Sequence, residues 1–349
     1  MGSVRIGVIA SIAHRLPPAS YGPWEQIAST LTEGFVARGH EVTLFATADS
    51  ATTATLVGTA PAGYEEDPSV NAKVWEGLHN AAAFERADRF EVIANHFDFM
   101  PLTYSRLVDT PMVTTVHGFS SPAILPVYQR FDDIAHYVSI SDADRSPLIH
   151  YAATIHHGIE LARFTFVPEQ GAYLLFLGRI HPDKGTHRAI HVAREAGVPL
   201  VIAGIVQDQD YFETLVLPHV DGQAVRYVGP VGPTERDALL GGATALLHLI
   251  DFDEPFGLSV VEALATGTPV IASPRGSLPE ILRSGLTGFL APDHTEAVRA
   301  VARLPEIDRA ECRADAETRF GADRMVDDYI ALFQRLTSGS DPGTVEVQG

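Results

Sequence analysis

Two carboxylates, Glu254 and Glu262, are separated by seven residues within the stretch 251–276, DFDEPFGLSVVEALATGTPVIASPRG. Glu254-Pro255-Phe256-Gly257 reads as a turn, Leu258–Ala265 has the apolar spacing of a buried helix closed by Gly267, and Pro269-Val-Ile-Ala reads as a β-branched strand. One carboxylate therefore stands ahead of the helix and the other about one turn inside it, so both reach one ligand from its two ends. Between them the N–H groups of Gly257, Leu258 and Ser259 face outward at a helix start. They lack helical partners and have the positive end of the helix dipole behind them, which makes an anion site that fits a phosphate.

The elements that must carry such a site follow from length and pattern. A chain of 349 residues exceeds what one core usually supports, so two domains are expected. Residues 4–9 read as a short apolar strand. A loop with Pro17 and Pro18 follows, then a helix over 23–38 with Trp24, Ile27, Leu31 and Phe35 on one face and Gly39 at its end, and a strand over 41–46. That order is a βαβ unit, with its first loop at the carboxyl edge of a sheet, where open α/β folds bind ligands. A short strand at 54–57, a helix over 71–89 and strands at 90–96, 112–117, 136–140 and 154–156 continue the first half. His96 and His117 each end a strand. The second half opens on the continuous apolar strand 173–177 and continues with strands near 201–204, 225–228 and 245–250 and helices near 211–217 and 234–240. Further helices are expected over 295–304 and from 310 to 336, the latter interrupted at Gly321. The tail from Thr337 is polar and is expected to be disordered.

Composition narrows the function classes. The hydrophobic share of 46% and charged share of 20% are those of an ordinary soluble protein. No apolar run approaches the roughly 18–20 residues of a membrane span, and the N-terminus starts a strand rather than a signal peptide, so a cytoplasmic protein is expected. A formal charge of −19 argues against nucleic acid or an anionic membrane as the main partner, though a few local cations still hold a small anion. Cys312 is the only cysteine, which excludes a disulfide framework and a cysteine-based zinc site; it falls in a polar helical segment. The pair Asp251 and Asp253 is read as a solvated loop beside the cleft, and no essential metal is expected.

The string EPFGLSVVEALATGTPVIA resembles the E-x(7)-E signature of family 4 retaining glycosyltransferases, whose fold is GT-B, two Rossmann-like doubly wound α/β domains facing a central cleft. The segment Gly178-Arg179-Ile-His-Pro-Asp-Lys184-Gly185 is similar to that family's G-R-x(4)-K-G element, and the resemblance covers nearly the whole chain, most densely over 178–292. It implies that Glu262 hydrogen-bonds the ribose of a nucleotide-sugar and that Glu254 touches hydroxyls of the donor sugar. The N–H groups around Phe256, Gly257, Leu258 and Ser259 would hold the donor's phosphate. Arg179, a planar fork, and Lys184, a compact charge, would neutralise the diphosphate. By the same resemblance His117, in VTTVHGF, lies beside the reacting sugar, and the loop at Val228 and Gly229 receives the base through backbone groups. His96, Asp98 and Asn95 are assigned to the acceptor side. The family's paired glycines of the first loop are reduced here to Gly22, followed by Pro23, which has no N–H to offer. Gly276-Ser277 likewise stands where two glycines are usual.

The domains implied are 1–160 on the acceptor side, a linker over 161–171, a nucleotide-sugar domain over 172–318, a helix over 319–336 crossing back to the first domain, and a flexible tail over 337–349. The function implied is retaining transfer of a sugar from a nucleotide-diphosphate-sugar, with a UDP-sugar such as UDP-glucose favoured, to a soluble small-molecule or saccharide acceptor. Catalysis would rest on His117, Glu254, Arg179 and Lys184, with no cofactor beyond the donor. GDP-mannose-dependent transfer, nucleotide-sugar epimerisation and non-catalytic nucleotide-sugar binding are the alternatives.

Overall fold

The computed structural model describes residues 2–19, 22–118 and 122–338. They form two compact units: the first takes residues up to 140, 145–158 and 322 onward, and the second takes Ser141–Asp144 and Ile159–Gly321. The predicted disorder of the tail beyond Ser338 lies outside the described residues.

The first unit is built on seven strands: β1 (Arg5–Ala10), β2 (Glu41–Thr47), β3 (Thr55–Ala60), β4 (Val92–His96), β5 (Met112–Val116), β6 (His136–Ser139) and β7 (Tyr151–Thr154). They lie in the order β3-β2-β1-β4-β5-β6-β7, and every pair is parallel. The sheet reverses direction of growth at β1 and β4, a topological switch point with β4 and β5 carrying the strand-end histidines. Two sequence readings need correction. The last strand is Tyr151–Thr154, not 154–156, because Tyr151 pairs with Tyr137 and the chain leaves the sheet after Thr154. The helix expected over 71–89 ends at Phe84 and gives way to a 3-10 turn at Ala87–Arg89; Asn71 caps its start through a bond from Val74 N–H.

The second unit carries six parallel strands: β8 (Tyr173–Leu177), β9 (Leu200–Ala203), β10 (Val225–Gly229), β11 (Ala243–His248), β12 (Val270–Ala272) and β13 (Gly288–Leu290), ordered β10-β9-β8-β11-β12-β13. The strands β9 and β11 are buried end to end and β8 between them is buried through its middle three residues, as parallel strands covered on both faces should be. The switch point falls between β8 and β11. The loops that leave these two strands carry Arg179 and Lys184 on one side and Glu254 on the other.

After Phe320 the chain passes through Gly321 into the helix Ala322–Thr337, which packs in the first unit against the helix Pro23–Ala37. Phe333 meets Phe35 there, and Val326 fills the space that the absent side chain of Gly34 leaves. The interruption expected at Gly321 is present. Cys312 lies in the polar helix Arg309–Phe320, as expected, with its side chain fully buried, and burial pushes its thiol up to about 12. Among the described residues no helix is long and apolar enough to cross a membrane.

Candidate active site

The helix expected over Leu258–Ala265 has those bounds. Gly257 is its N-cap with φ 91°, a left-handed conformation that a side chain would strain, and it turns the chain so that the helix opens outward. The N–H groups of Gly257, Leu258 and Ser259 donate to no acceptor among the described residues. The preceding turn is pinned from behind. Ser277 N–H donates to the Glu254 carbonyl at 2.9 Å, the Ser277 hydroxyl to the Phe256 carbonyl at 2.8 Å, and the Ser141 hydroxyl to the Pro255 carbonyl at 2.7 Å. Gly276, at φ 56°, permits this closeness, because a Cβ there would lie 2.3 Å from the Glu254 carbonyl oxygen. The carbonyls of the turn thus face the protein and its N–H groups are left for a ligand.

Glu254 is largely buried and stays ionised. Lys184 Nζ donates to its Oε2 at 3.2 Å and His248 Nε2–H donates to the same oxygen at 3.1 Å. Burial alone would raise this carboxyl, but the bonds and charge of His248 and Lys184 overcome it and hold it at about 2. The Lys184 ammonium also lies 4.2 Å from the centre of the Phe252 ring, a cation–π contact. Arg179, at the exit of β8, bonds Gln207 through Nη1 and lies 3.9 Å from Asp183. Glu262 is joined to Arg236 of the helix Pro233–Gly241, with Nη1 at 2.9 Å and 3.2 Å from its two oxygens. Burial raises the Glu262 carboxyl above its ordinary range, and Arg236 opposes the rise. Asp251 is a bridge, with one oxygen held by Arg188 at 2.8 Å and the other by Arg275 at 2.9 Å.

The remaining residues named from sequence fall less simply. Phe256 has its ring buried at 2% exposure, edge-on to Phe320, so only its backbone remains for a ligand. Val228 is exposed where β10 shifts register between Tyr227 and Gly229, and the Gly229 carbonyl is taken by Gly204 N–H. In the first unit, Gly22 caps the helix Pro23–Ala37, and a Cβ on it would lie 3.0 Å from Oε2 of the buried Glu25. A phosphate approaching the Gly22 backbone would come close to the Glu25 carboxyl. His117 is buried and stacked on Trp24, 5.5 Å between ring centres. Its Nε2 shares a hydrogen bond with Nδ1 of His96 at 3.0 Å, and its Nδ1 shares one with Nε2 of His157 at 3.3 Å. Burial lowers His96 and His157 to about 3, and His117 well below its ordinary value. Asn95 donates to the Asp98 carbonyl and to Thr114, and Tyr128 donates to the Asp98 carboxylate at 2.7 Å.

Sequence reading missed His157, Arg236 and His248. His248 carried a usable signal, since it ends an apolar strand, as His96 and His117 do. Arg236 had none, lying on a polar helix 26 residues before its partner.

The chain matches the family described as "Glycosyl transferases group 1" over residues 159–319 and the one described as "Glycosyltransferase Family 4" over residues 25–163. Glycogen synthase of Mycobacterium tuberculosis is 32% identical over 274 residues, which cover 70% of this chain and 63% of that protein. D-inositol 3-phosphate glycosyltransferase of Mycolicibacterium smegmatis is 30% identical over 222 residues, 58% of this chain and 50% of that one. The chain thus spans between half and 63% of the length of these curated relatives. Among solved structures, sucrose-phosphate synthase from Thermosynechococcus elongatus superposes with a TM-score of 0.76 at 19% identity, over 97% of this chain and 100% of that one. Anabaena HepE in complex with UDP and glucose gives 0.71 at 17%, over 95% and 99%. These likenesses establish the GT-B fold. With family matches running from residue 25 to residue 319, the chain belongs to the family 4 glycosyltransferases.

Proposed function

We propose that this protein transfers a sugar, with retention of anomeric configuration, from a nucleotide-diphosphate-sugar to a soluble small-molecule or saccharide acceptor, and that the donor is a UDP-sugar such as UDP-glucose. The observation that carries the reading is the join of the three unpartnered N–H groups at Gly257–Ser259 to the ionised Glu254 and its Lys184. A phosphate suits the N–H groups, a sugar hydroxyl suits the carboxylate, and a compact cation stands between the two chemistries. Charge that develops on the departing diphosphate would meet donors already in place, which is electrostatic stabilisation without reorganisation. Glu262, steadied by Arg236, is suited to accept from ribose hydroxyls. UDP is favoured because a structural neighbour binds UDP with glucose. Acceptor binding is assigned to the first unit, and transfer is proposed to need no metal, a reading supported by the arginines held on both oxygens of Asp251.

A donor screen tests this. Purified protein is given UDP-, GDP- and ADP-sugars with and without candidate acceptors, and nucleotide diphosphate release and product anomer are followed. Release from UDP-glucose, raised by an acceptor and yielding a retained product, is the expected result. Release from GDP-mannose alone would replace the donor, sugar rearrangement without acceptor would make the protein an epimerase, and binding without turnover in every arm would make it a non-catalytic binder.

A further inference from the structure

His248 closes β11, is 6% exposed, and directs Nε2 at Glu254. Both protein donors to Glu254, Lys184 and His248, converge on one oxygen, Oε2, and among the described residues Oε1 receives none. An ionised carboxylate only accepts hydrogen bonds, so Nε2 of His248 carries the proton in this contact. The two donors differ in what else they serve. Lys184 sits on a mobile four-carbon stem whose charge also suits a diphosphate, whereas His248 is fixed at a buried strand end.

Building on the function proposed above, we propose that His248 is the positioning residue for Glu254: it holds Oε2 when Lys184 turns to the donor's diphosphate, and so keeps Oε1 aimed at a hydroxyl of the donor sugar. Without it, arrival of the diphosphate would leave a largely buried carboxylate sharing its only donor with two phosphates. Burial would then act on Glu254 with less opposition, its carboxyl would climb toward protonation, and a protonated carboxyl presents a different hydrogen-bonding face to the sugar. With His248 in place, one group stays on the carboxylate through the reaction and the other is released for the leaving group. The role concerns the sugar and not the nucleotide, because Glu262 and Arg236 form a separate pair.

The test compares wild type with His248→Phe, which keeps bulk and removes the donor, His248→Gln, whose amide nitrogen reaches the Nε2 position, and His248→Asn, whose amide stops short of it. Steady-state kinetics, affinities for UDP and for UDP-glucose, thermal melting and the pH–rate profile are measured for each. We expect His248→Phe and His248→Asn to lower kcat/KM for the donor by about 10- to 100-fold, the worth of one hydrogen bond to a charged group. Affinity for UDP should stay within about twofold, since UDP lacks the sugar, and the acid limb of the rate profile should move to higher pH. His248→Gln should recover most of the loss. Wild-type kinetics and an unmoved acid limb in His248→Phe would overturn the role, as would an equal loss of UDP and UDP-glucose affinity. Should His248→Phe fail to fold, the contrast of Gln with Asn decides: equal activity in those two overturns it. Wild-type protein that neither binds nor turns over a nucleotide-sugar would sink the parent reading and this inference together, whereas an active wild type with indifferent variants sinks this inference alone.

Discussion

The two units bury ionisable side chains in opposite ways. In the first, His96, His117 and His157 are linked ring to ring and burial holds them neutral, with His96 and His157 at about 3. In the second, Glu254 is less completely enclosed and remains charged at about 2, because a lysine and a histidine donate to it. The difference lies in the partners. Imidazoles can pair by alternating donor and acceptor, so a neutral chain forms without any ion, though His96 Nε2 at its end is left buried without a partner among the described residues; a carboxylate cannot donate and must be met by cations or fixed N–H groups. A neutral buried network shapes and orients; a charged one is poised to respond when charge moves nearby.

The largest expected effect breaks the charged side. Glu254→Gln or Lys184→Met should reduce kcat/KM for the donor by about 100- to 1,000-fold, as loss of a preorganised electrostatic group does. Steady-state nucleotide release checks this, with circular dichroism to show the fold intact. Arg236→Ala should act less severely. It removes the main opposition to burial at Glu262, leaving only the charge of Arg163, and UDP affinity should fall about tenfold by calorimetry, the cost of one charge-assisted bond.

Acid separates the two networks by the window in which each loses stability. His96 and His157 titrate lower folded than unfolded, so their contribution is complete above about 6.5 and drains away as pH falls toward 3. Glu254 is also depressed, but from 4.5, so its contribution is lost only between 4.5 and about 2. Between pH 6.5 and 4.5 the decline belongs to the buried histidines, His79 among them, and is partly offset by Asp144, whose carboxyl burial raises to about 7. His96→Gln should flatten it, by at most about 2 kcal/mol at pH 5, while Glu254→Gln should leave that window unchanged and flatten the curve below it. Urea unfolding at stepped pH reads both. The smallest effect is a chelator control: activity in excess EDTA should equal that without it.

Much of the architecture was legible because parallel strands buried on both faces write themselves as apolar runs, as in Tyr173–Leu177 and Ala243–His248. The helix Leu258–Ala265 was readable to the residue, since turn, glycine cap and apolar spacing agree there. Weakly apolar edge strands were harder: β7, YAAT, carries little pattern, and its place was set by pairing with Tyr137. In the site, residues that carry a family-like motif could be named in advance. Partners that meet only in three dimensions could not, and Arg236 for Glu262, His157 for His117 and Trp24 against His117 are of that kind.

The terminal helix has a consequence for how the protein is made. Arg38 of the first unit bonds Asp323, 285 residues later, and Phe35 awaits Phe333. The second unit is nearly continuous in sequence and can fold as it emerges from the ribosome, while the first must wait with an apolar helix face uncovered until the helix Ala322–Thr337 has been synthesised. Chaperone dependence and aggregation during expression should therefore concentrate in the half that is translated first. A released chain truncated after Gly321 would display a folded second unit and a protease-sensitive first.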